Sequence, residues 1–269
     1  MSLTINTNLE AMDASRNLNS TENSLSASMQ RLSSGLRINS ASDDVAGYAI
    51  SQSLQSQVNG LNQAGENIQD AVALTQTAQG ALNDVNTMLQ RIRELAVQYA
   101  NGTTSEEGKT AIEGEVTQLV SEIERVGSTT EFNGQKLLSA KGEITFQVGS
   151  NDKETISVNT VELYKTIEKD IEPGVLSEEK GLADISKAIE EVSKVAGEFG
   201  AVQDRIQYTQ SNLEVYSQNL SSAVSALTDV NMATEMTNFT KEQVLQQAGV
   251  AILSQANQLP DATLKLLEG

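Results

Sequence analysis

The sequence predicts a mainly α-helical chain. Its fold class is a long antiparallel helical coiled-coil rod with a small β-hairpin element and a helix of sparse charge at each end. Two matched heptad stripes and one stretch of strict alternation carry that prediction. In the first stripe, Leu61, Ala64, Ile68, Ala71, Thr75, Ala78, Leu82, Val85, Leu89, Ile92, Ala96 and Tyr99 recur three and four residues apart without a slip. It extends back through Gln57, Leu54 and Ile50. In the second stripe, Ile185, Val192, Phe199, Ile206, Leu213, Leu220 and Leu227 recur every seventh residue. Leu182, Ile189, Ala196 and Val224 fill its alternate positions, with Gln203, Gln210 and Ser217 interrupting them. A helix over 44–100 would run roughly 80 Å and cannot bury its own stripe, so the second stripe supplies a partner of matching length. The alternation is Ile144, Phe146, Val148 and, beyond a polar turn, Ile156 and Val158.

In chain order, residues 1–36 read as a helix with Leu18, Leu25 and Leu32 seven apart and Met29 and Leu36 beside them. Its other face is Ser, Asn, Gln and Thr rather than charge, so neighbours can bury it at modest desolvation cost. Gly35, Asn39, Ser40 and Ser42 mark a break, and Ser42 or Asp43 can N-cap the long helix. Asn101-Gly102 is its C-cap signal. Thr104 and Glu107 form a capping box for a return helix over 105–127, with Ile112, Val116, Leu119, Ile123 and Val126 on one face and Gly127 stopping it. Glu131-Phe132-Asn133-Gly134 reads as a tight turn opening a β-hairpin region over 131–175. Residues 141–180 have the highest charge density and are expected to be the most exposed. Glu172-Pro173-Gly174 ends that region, and the second long helix spans 177–228. Met232 to Gln258 is another low-charge helix with Leu245, Gly249, Ile252, Ala256 and Leu259 along one face, broken by Pro260.

Composition narrows the function. Only 3% of the 269 residues are aromatic and Trp is absent, which suits thin helical layers rather than a compact core. A formal net charge of −18 argues against nucleic acid, which needs clustered Lys and Arg, and against anionic membranes. With no Cys and no His, thiol chemistry, the commonest general base and the commonest metal ligands are missing. No Gly-rich phosphate loop is present. No catalytic, cofactor-binding or metal-binding residue is therefore predicted. Arg91 with Glu94, and Arg125 with Glu122, read as helix-surface pairs. The opening residues lack the basic and apolar regions of a secretory signal peptide, so a chain that leaves the cell would do so by another route.

Several segments, in order, resemble bacterial flagellins, the subunits of the flagellar filament. They are INTNLEAMDASRNL from Ile5, SMQRLSSGLRINSASDDVAGYAIS from Ser28, QRIRELAVQYANGT from Gln90, EFNGQKLLS from Glu131 and TKEQVLQQAGVAILSQANQLP from Thr240. The resemblance implies an N-terminal inner-core helix and spoke over 1–43, an outer-core rod over 44–228, and a C-terminal inner-core helix over 229–269, with the terminal helices pairing as an inner layer. The large outer domains of many flagellins have no room here. Leu18, Leu25, Met29 and Leu32, with Leu245, Ile252 and Leu259, would then be the inner-core assembly residues.

The implied partners are further copies of the chain in a helical homopolymer, an export chaperone on the C-terminal helix, and the filament cap and hook-associated proteins. The implied localisation is the extracellular flagellum, reached through the flagellar type III apparatus. The family's Toll-like receptor 5 motif falls on Gln90, Arg91 and Leu95, with Glu115 on the return helix, and would act in the monomer. Arg91 and Leu95 lie four apart and off the main seam, which predicts an exposed pair. The alternatives are a hook–filament junction protein with similar ends and, from another class, a signalling coiled coil. The β-hairpin and the low-charge ends oppose the latter.

Overall fold

The computed structural model describes residues 7–172, 176 and 181–268, with 259–268 described by their backbone alone. In order, α1 is Leu9–Ser34, α2 Val45–Tyr99, α3 Glu106–Thr129, β1 Glu131–Phe132, β2 Gln135–Lys136, β3 Gly142–Gln147, β4 Thr155–Thr160, α4 Leu163–Ile167, α5 Gly181–Thr228 and α6 Met232–Glu268. A single 3-10 turn, Glu168–Asp170, follows α4. The chain divides into two compact units, Gln57–Gln218 and the combination of Met1–Ser56 with Asn219–Gly269. Both α2 and α5 contribute residues to each unit.

In the unit Gln57–Gln218 the first heptad stripe is the core. Leu61, Ala64, Ile68, Ala71, Thr75, Ala78, Leu82, Val85, Leu89, Ile92 and Ala96 are all buried, and Tyr99 packs against them. Its partner is α5, running antiparallel. The Ser217 hydroxyl lies 3.5 Å from Asn62 Oδ1, Leu213 sits 3.8 Å from where a Cβ on Gly65 would stand, and Gln79 faces Gly200. Ile185, Val192, Phe199, Ile206 and Leu213 are buried, as their spacing requires.

The alternate positions of α5 are not those expected. Ala188 and Val195 are buried and Val202 and Thr209 half-buried, while Leu182 is exposed and Ile189 and Ala196 are only half-buried. From Ile185 to Ile206 the second row therefore lies three residues after each anchor, not four, and beyond Leu213 it returns to the expected Ser217 and Val224, both half-buried. Gln203 and Gln210 flank it rather than interrupt it. The backward extension of the α2 seam also shifts by one. Val58 and Ser51 are buried, Leu54 and Gln57 half-buried, and Ile50 exposed. Two successive three-residue steps, Val58–Leu61–Ala64, locally overwind a heptad stripe in this way.

The return helix α3 is N-capped by Ser105, whose hydroxyl accepts from Gly108 N–H at 3.2 Å. Thr104, expected in that role, instead donates its hydroxyl to the carbonyl of Gln98. Gly127 does not stop α3. It lies inside the helix, buried 3.8 Å from Tyr164 and 3.9 Å from the Leu138 carbonyl as measured from an ideal Cβ, and the helix continues to Thr129. Asn133 and Gly134 take φ of 49° and 78°, the two positive values a two-residue turn between β1 and β2 requires. β3 and β4 pair antiparallel from Gly142↔Thr160 to Gln147↔Thr155. The Asn67 side-chain amide donates to the Gln147 carbonyl at 2.9 Å and ties the hairpin to α2.

Residues 141–172 are not uniformly exposed, contrary to their charge density. Val148, Ile156 and Val158 are buried because alternation turns one side of the hairpin inward, and Leu163, Ile167 and Ile171, four apart along α4 and the turn after it, are buried on one helical face. The expected break at Glu172-Pro173-Gly174 and the expected start at Ser177 reach beyond the described residues.

In the other unit α1 packs on α6. Gly35, at φ 74°, closes α1 by donating to the Arg31 carbonyl at 2.8 Å. The following segment pairs with the end of α5. Leu36 bridges Asp229, Arg37 N–H donates to Thr228 O, and Val230 N–H donates to Gly35 O. Asp44, not Ser42 or Asp43, caps α2 by accepting from the N–H groups of Ala46 and Gly47 at 3.0 Å. Asp43 accepts from Asn39 and Ser40 N–H and fixes the preceding turn. Those two amides, Asn39 first, hold its carboxyl below the usual carboxylate range. α6 runs through Pro260 to Glu268. A proline removes one backbone donor but has a φ compatible with a helix, so the turns on either side can carry it on.

Candidate interaction surfaces

Two groups of residues bear on function, one in each unit. On the α2–α3 surface, Arg91 Nε donates to Glu115 Oε1 at 3.0 Å, and Nη2 lies 2.9 Å from the same oxygen. Nη1 donates to Glu94 Oε2 at 3.2 Å. The guanidinium thus bridges α2 to α3 and is pushed above its usual range, first by the Glu115 hydrogen bond. Arg91 and Glu115 are half-exposed, and Gln90 is exposed with its amide 3.5 Å from Asn86 Oδ1.

Leu95 is not the exposed partner of Arg91 that its spacing suggests. It is 2% exposed, in the core with Ile112, Val116 and Ile123 of α3. Leu74, Ala81, Met88 and Leu95 recur every seventh residue as a second stripe, all in or against the core. Helix α2 therefore buries two adjacent stripes, one more than a two-stranded coil needs. That repeat was visible in the sequence and marks a helix with two packing partners.

In the other unit the α1–α6 contact uses a seam that apolar spacing revealed only in part. On α6 the inward positions are Glu235, Phe239, Glu242, Gln246, Gly249, Leu253 and Ala256, three and four residues apart, all buried or half-buried. On α1 they include Leu18, Leu25, Ser28 and Leu32. The helices approach closely at Gly249, where a Cβ would stand 3.2 Å from Leu18 Cδ1. The Asn8 side chain donates to Ala256 O at 2.8 Å. Glu235 is buried, 3.7 Å from the half-exposed Arg31. Leu245 and Ile252, expected among the inner-core assembly residues, point away from α1, 44% and 60% exposed. Met29 is also exposed. Leu259 lies outside the described side chains. Met232, Met236, Val244 and Val250 extend the outward apolar surface of α6, and Met236, Val244 and Leu245 line a shallow groove with Thr237, Thr240 and Lys241.

Among the described residues no cluster of Asp and Glu is placed to hold a metal ion, and no helix is long and apolar enough to cross a membrane. Residues 5–143 match the bacterial flagellin N-terminal helical region, and residues 182–267 match the bacterial flagellin C-terminal helical region. The chain belongs to the bacterial flagellin family. It is 44% identical over 269 residues to a flagellin of Halalkalibacterium halodurans, covering 98% of this chain and 99% of that one. It is 39% identical over 283 residues to the flagellar filament 33 kDa core protein of Treponema phagedenis, with the same coverage. The crystal structure of Bacillus cereus flagellin aligns with a TM-score of 0.50 at 23% identity over 59% of this chain and 94% of that one, a likeness of fold. As a member of the family, the chain is a structural subunit of an extracellular bacterial flagellar filament. The hook–filament junction alternative gains nothing from these matches.

Proposed function

We propose that α1 and α6 drive assembly into a helical homopolymer by burying, against neighbouring copies, the apolar surface they leave uncovered. The arrangement of α6 carries this reading. Its contact with α1 mixes Glu235, Glu242, Gln246 and Gly249 with Phe239, Leu253 and Ala256, while Met232, Met236, Val244, Leu245, Val250 and Ile252 face outward. An apolar surface of this kind on a soluble chain marks an interaction site. The net charge of −18 keeps free subunits apart until these surfaces meet in register. In this reading the terminal helices pair as the inner layer of the filament.

The same α6 surface suits an export chaperone that covers it before assembly, with passage through the flagellar type III apparatus. The filament cap and the hook-associated proteins would meet the terminal helices at the two ends of the polymer. In the free monomer, Gln90, Arg91 and Glu115 form the surface offered to Toll-like receptor 5. Leu95 supports that surface from within rather than touching the receptor.

Seeded polymerisation tests the central point. The full chain is expected to elongate sheared filaments, whereas chains lacking residues 1–36, or those after Met232, keep helical circular dichroism and do not elongate. Normal elongation by either truncated chain refutes the assignment.

A further inference from the structure

The methionines are distributed unevenly. The chain has six and no cysteine, so the thioethers are its only oxidisable sulfur. Met88 packs half-buried against the core of the unit Gln57–Gln218. The other four described methionines all lie on the two terminal helices. Met12 and Met29 of α1 are 55% and 54% exposed, and Met232 and Met236 of α6 are 48% and 49% exposed. Met232 and Met236 sit four apart on one side of α6, and Met236 lines the apolar groove with Val244 and Leu245.

We propose that Met12, Met29, Met232 and Met236 are a peroxide-sensitive modification site that bars an oxidised subunit from the polymer. In each case the thioether sulfur attacks one oxygen of the peroxide. An S–O bond forms, the O–O bond breaks, and the departing oxygen leaves as water. The sulfur loses two electrons and the peroxide gains them. The product is a sulfoxide, polar and chiral where the side chain was apolar and flexible. In the free subunit the change is tolerated, since these side chains already meet solvent. At a subunit contact the sulfoxide oxygen must be desolvated or the contact left open. Burial in the polymer shields the same sulfur atoms, so oxidant sensitivity belongs to the subunit before assembly. A methionine sulfoxide reductase supplied with a thiol reductant reverses the step.

This inference rests on the assembly reading above, and the test separates the two. Purified subunit is treated with hydrogen peroxide, its added oxygens are located by peptide mapping, and its critical concentration for seeded elongation is measured. Oxidation is expected at the four terminal-helix methionines ahead of Met88, with the critical concentration raised about tenfold or more. Reductase treatment is expected to restore it to within roughly twofold. In intact filaments the four sites should oxidise more slowly than in the free subunit. A subunit carrying Met88→Leu, a volume-conserving change outside the terminal helices, should lose elongation on peroxide treatment as the unsubstituted subunit does, and elongation that survives peroxide in that subunit overturns the proposal. Normal elongation by oxidised unsubstituted subunit overturns this proposal alone, as does loss that the reductase fails to reverse. Failure of the untreated subunit to elongate overturns the assembly reading and this one with it.

Discussion

Ile252 separates the folding of the subunit from its assembly. It is 60% exposed in the subunit. Full burial of an isoleucine contributes about 1.5–3 kcal/mol, so covering the exposed part in a polymer contributes roughly 1–2 kcal/mol. Ile252→Ala removes most of that, and at about 1.4 kcal/mol per decade the critical concentration should rise roughly five- to thirtyfold. Ile252→Asp places a carboxylate where neighbours exclude water, at a cost of several kcal/mol more, and should prevent elongation at ordinary concentrations. Neither change should lower the thermal midpoint of the free subunit by more than the small shift typical of a surface substitution. Leu89→Ala is the counterpart. Leu89 is fully buried in the α2–α3–α5 core, and its truncation should cost the subunit about 2–5 kcal/mol. Sedimentation of elongation reactions gives the critical concentration, and circular dichroism melts of the free subunit give stability. An Ile252→Asp subunit that elongates with an unchanged critical concentration would refute the assignment of the outward α6 surface to assembly.

Three further outcomes are expected. Lys153 holds φ at 69° in the β3–β4 turn, where a side chain costs energy and glycine does not. Lys153→Gly should therefore stabilise the hairpin by up to about 1 kcal/mol, read as slower amide exchange in β3 and β4, and unchanged or faster exchange would contradict it. Because the Asp43 carboxyl is held below its unfolded value of 3.8, its contribution is fully present above that pH and is lost as pH falls through the still lower folded value. The protection of the Asn39 and Ser40 amides relative to their intrinsic exchange rates should fall across that acid window in the unsubstituted chain and stay constant there in Asp43→Ala. Arg91→Ala should cut Toll-like receptor 5 signalling by the monomer about tenfold or more while leaving its circular dichroism intact, and full signalling in a reporter assay would reject the receptor assignment.

Much of the fold was legible because a heptad stripe reports burial directly. Every residue from Leu61 to Ala96 on the first stripe is buried, and the Asn133-Gly134 turn takes the backbone angles its residues favour. Local capping was less legible. Ser105 and Asp44 cap the helices that Thr104 and Asp43 were expected to cap, because adjacent polar residues compete for the same amides and a one-residue choice rests on the chain's exit angle. The receptor segment was half legible. The Arg91–Glu115 contact needs α3 folded back on α2, which the loop and its cap predict, whereas the burial of Leu95 follows from a second stripe that becomes meaningful only once α2 has two partners.

The terminal helices are arranged in a way that bears on what they do. Spacing rules assign the most apolar side of a helix to its partner within the same chain. On α6 Leu245 and Ile252 face outward, and the side against α1 carries Glu235, Glu242 and Gln246 beside Phe239, Leu253 and Ala256. A seam with a buried carboxylate 3.7 Å from a half-exposed arginine fixes register more than it adds stability. The α1–α6 pair is thus joined by a seam of mixed polar and apolar residues and left with apolar surface to spare. A side chain already buried within the subunit has nothing left to contribute to a polymer contact, whereas Ile252, exposed in the subunit, contributes only when another copy arrives. Had the apolar side of α6 turned inward, the pair would be more stable alone and the polymer weaker. The same residues that break the spacing rule therefore make the free energy of burial depend on assembly.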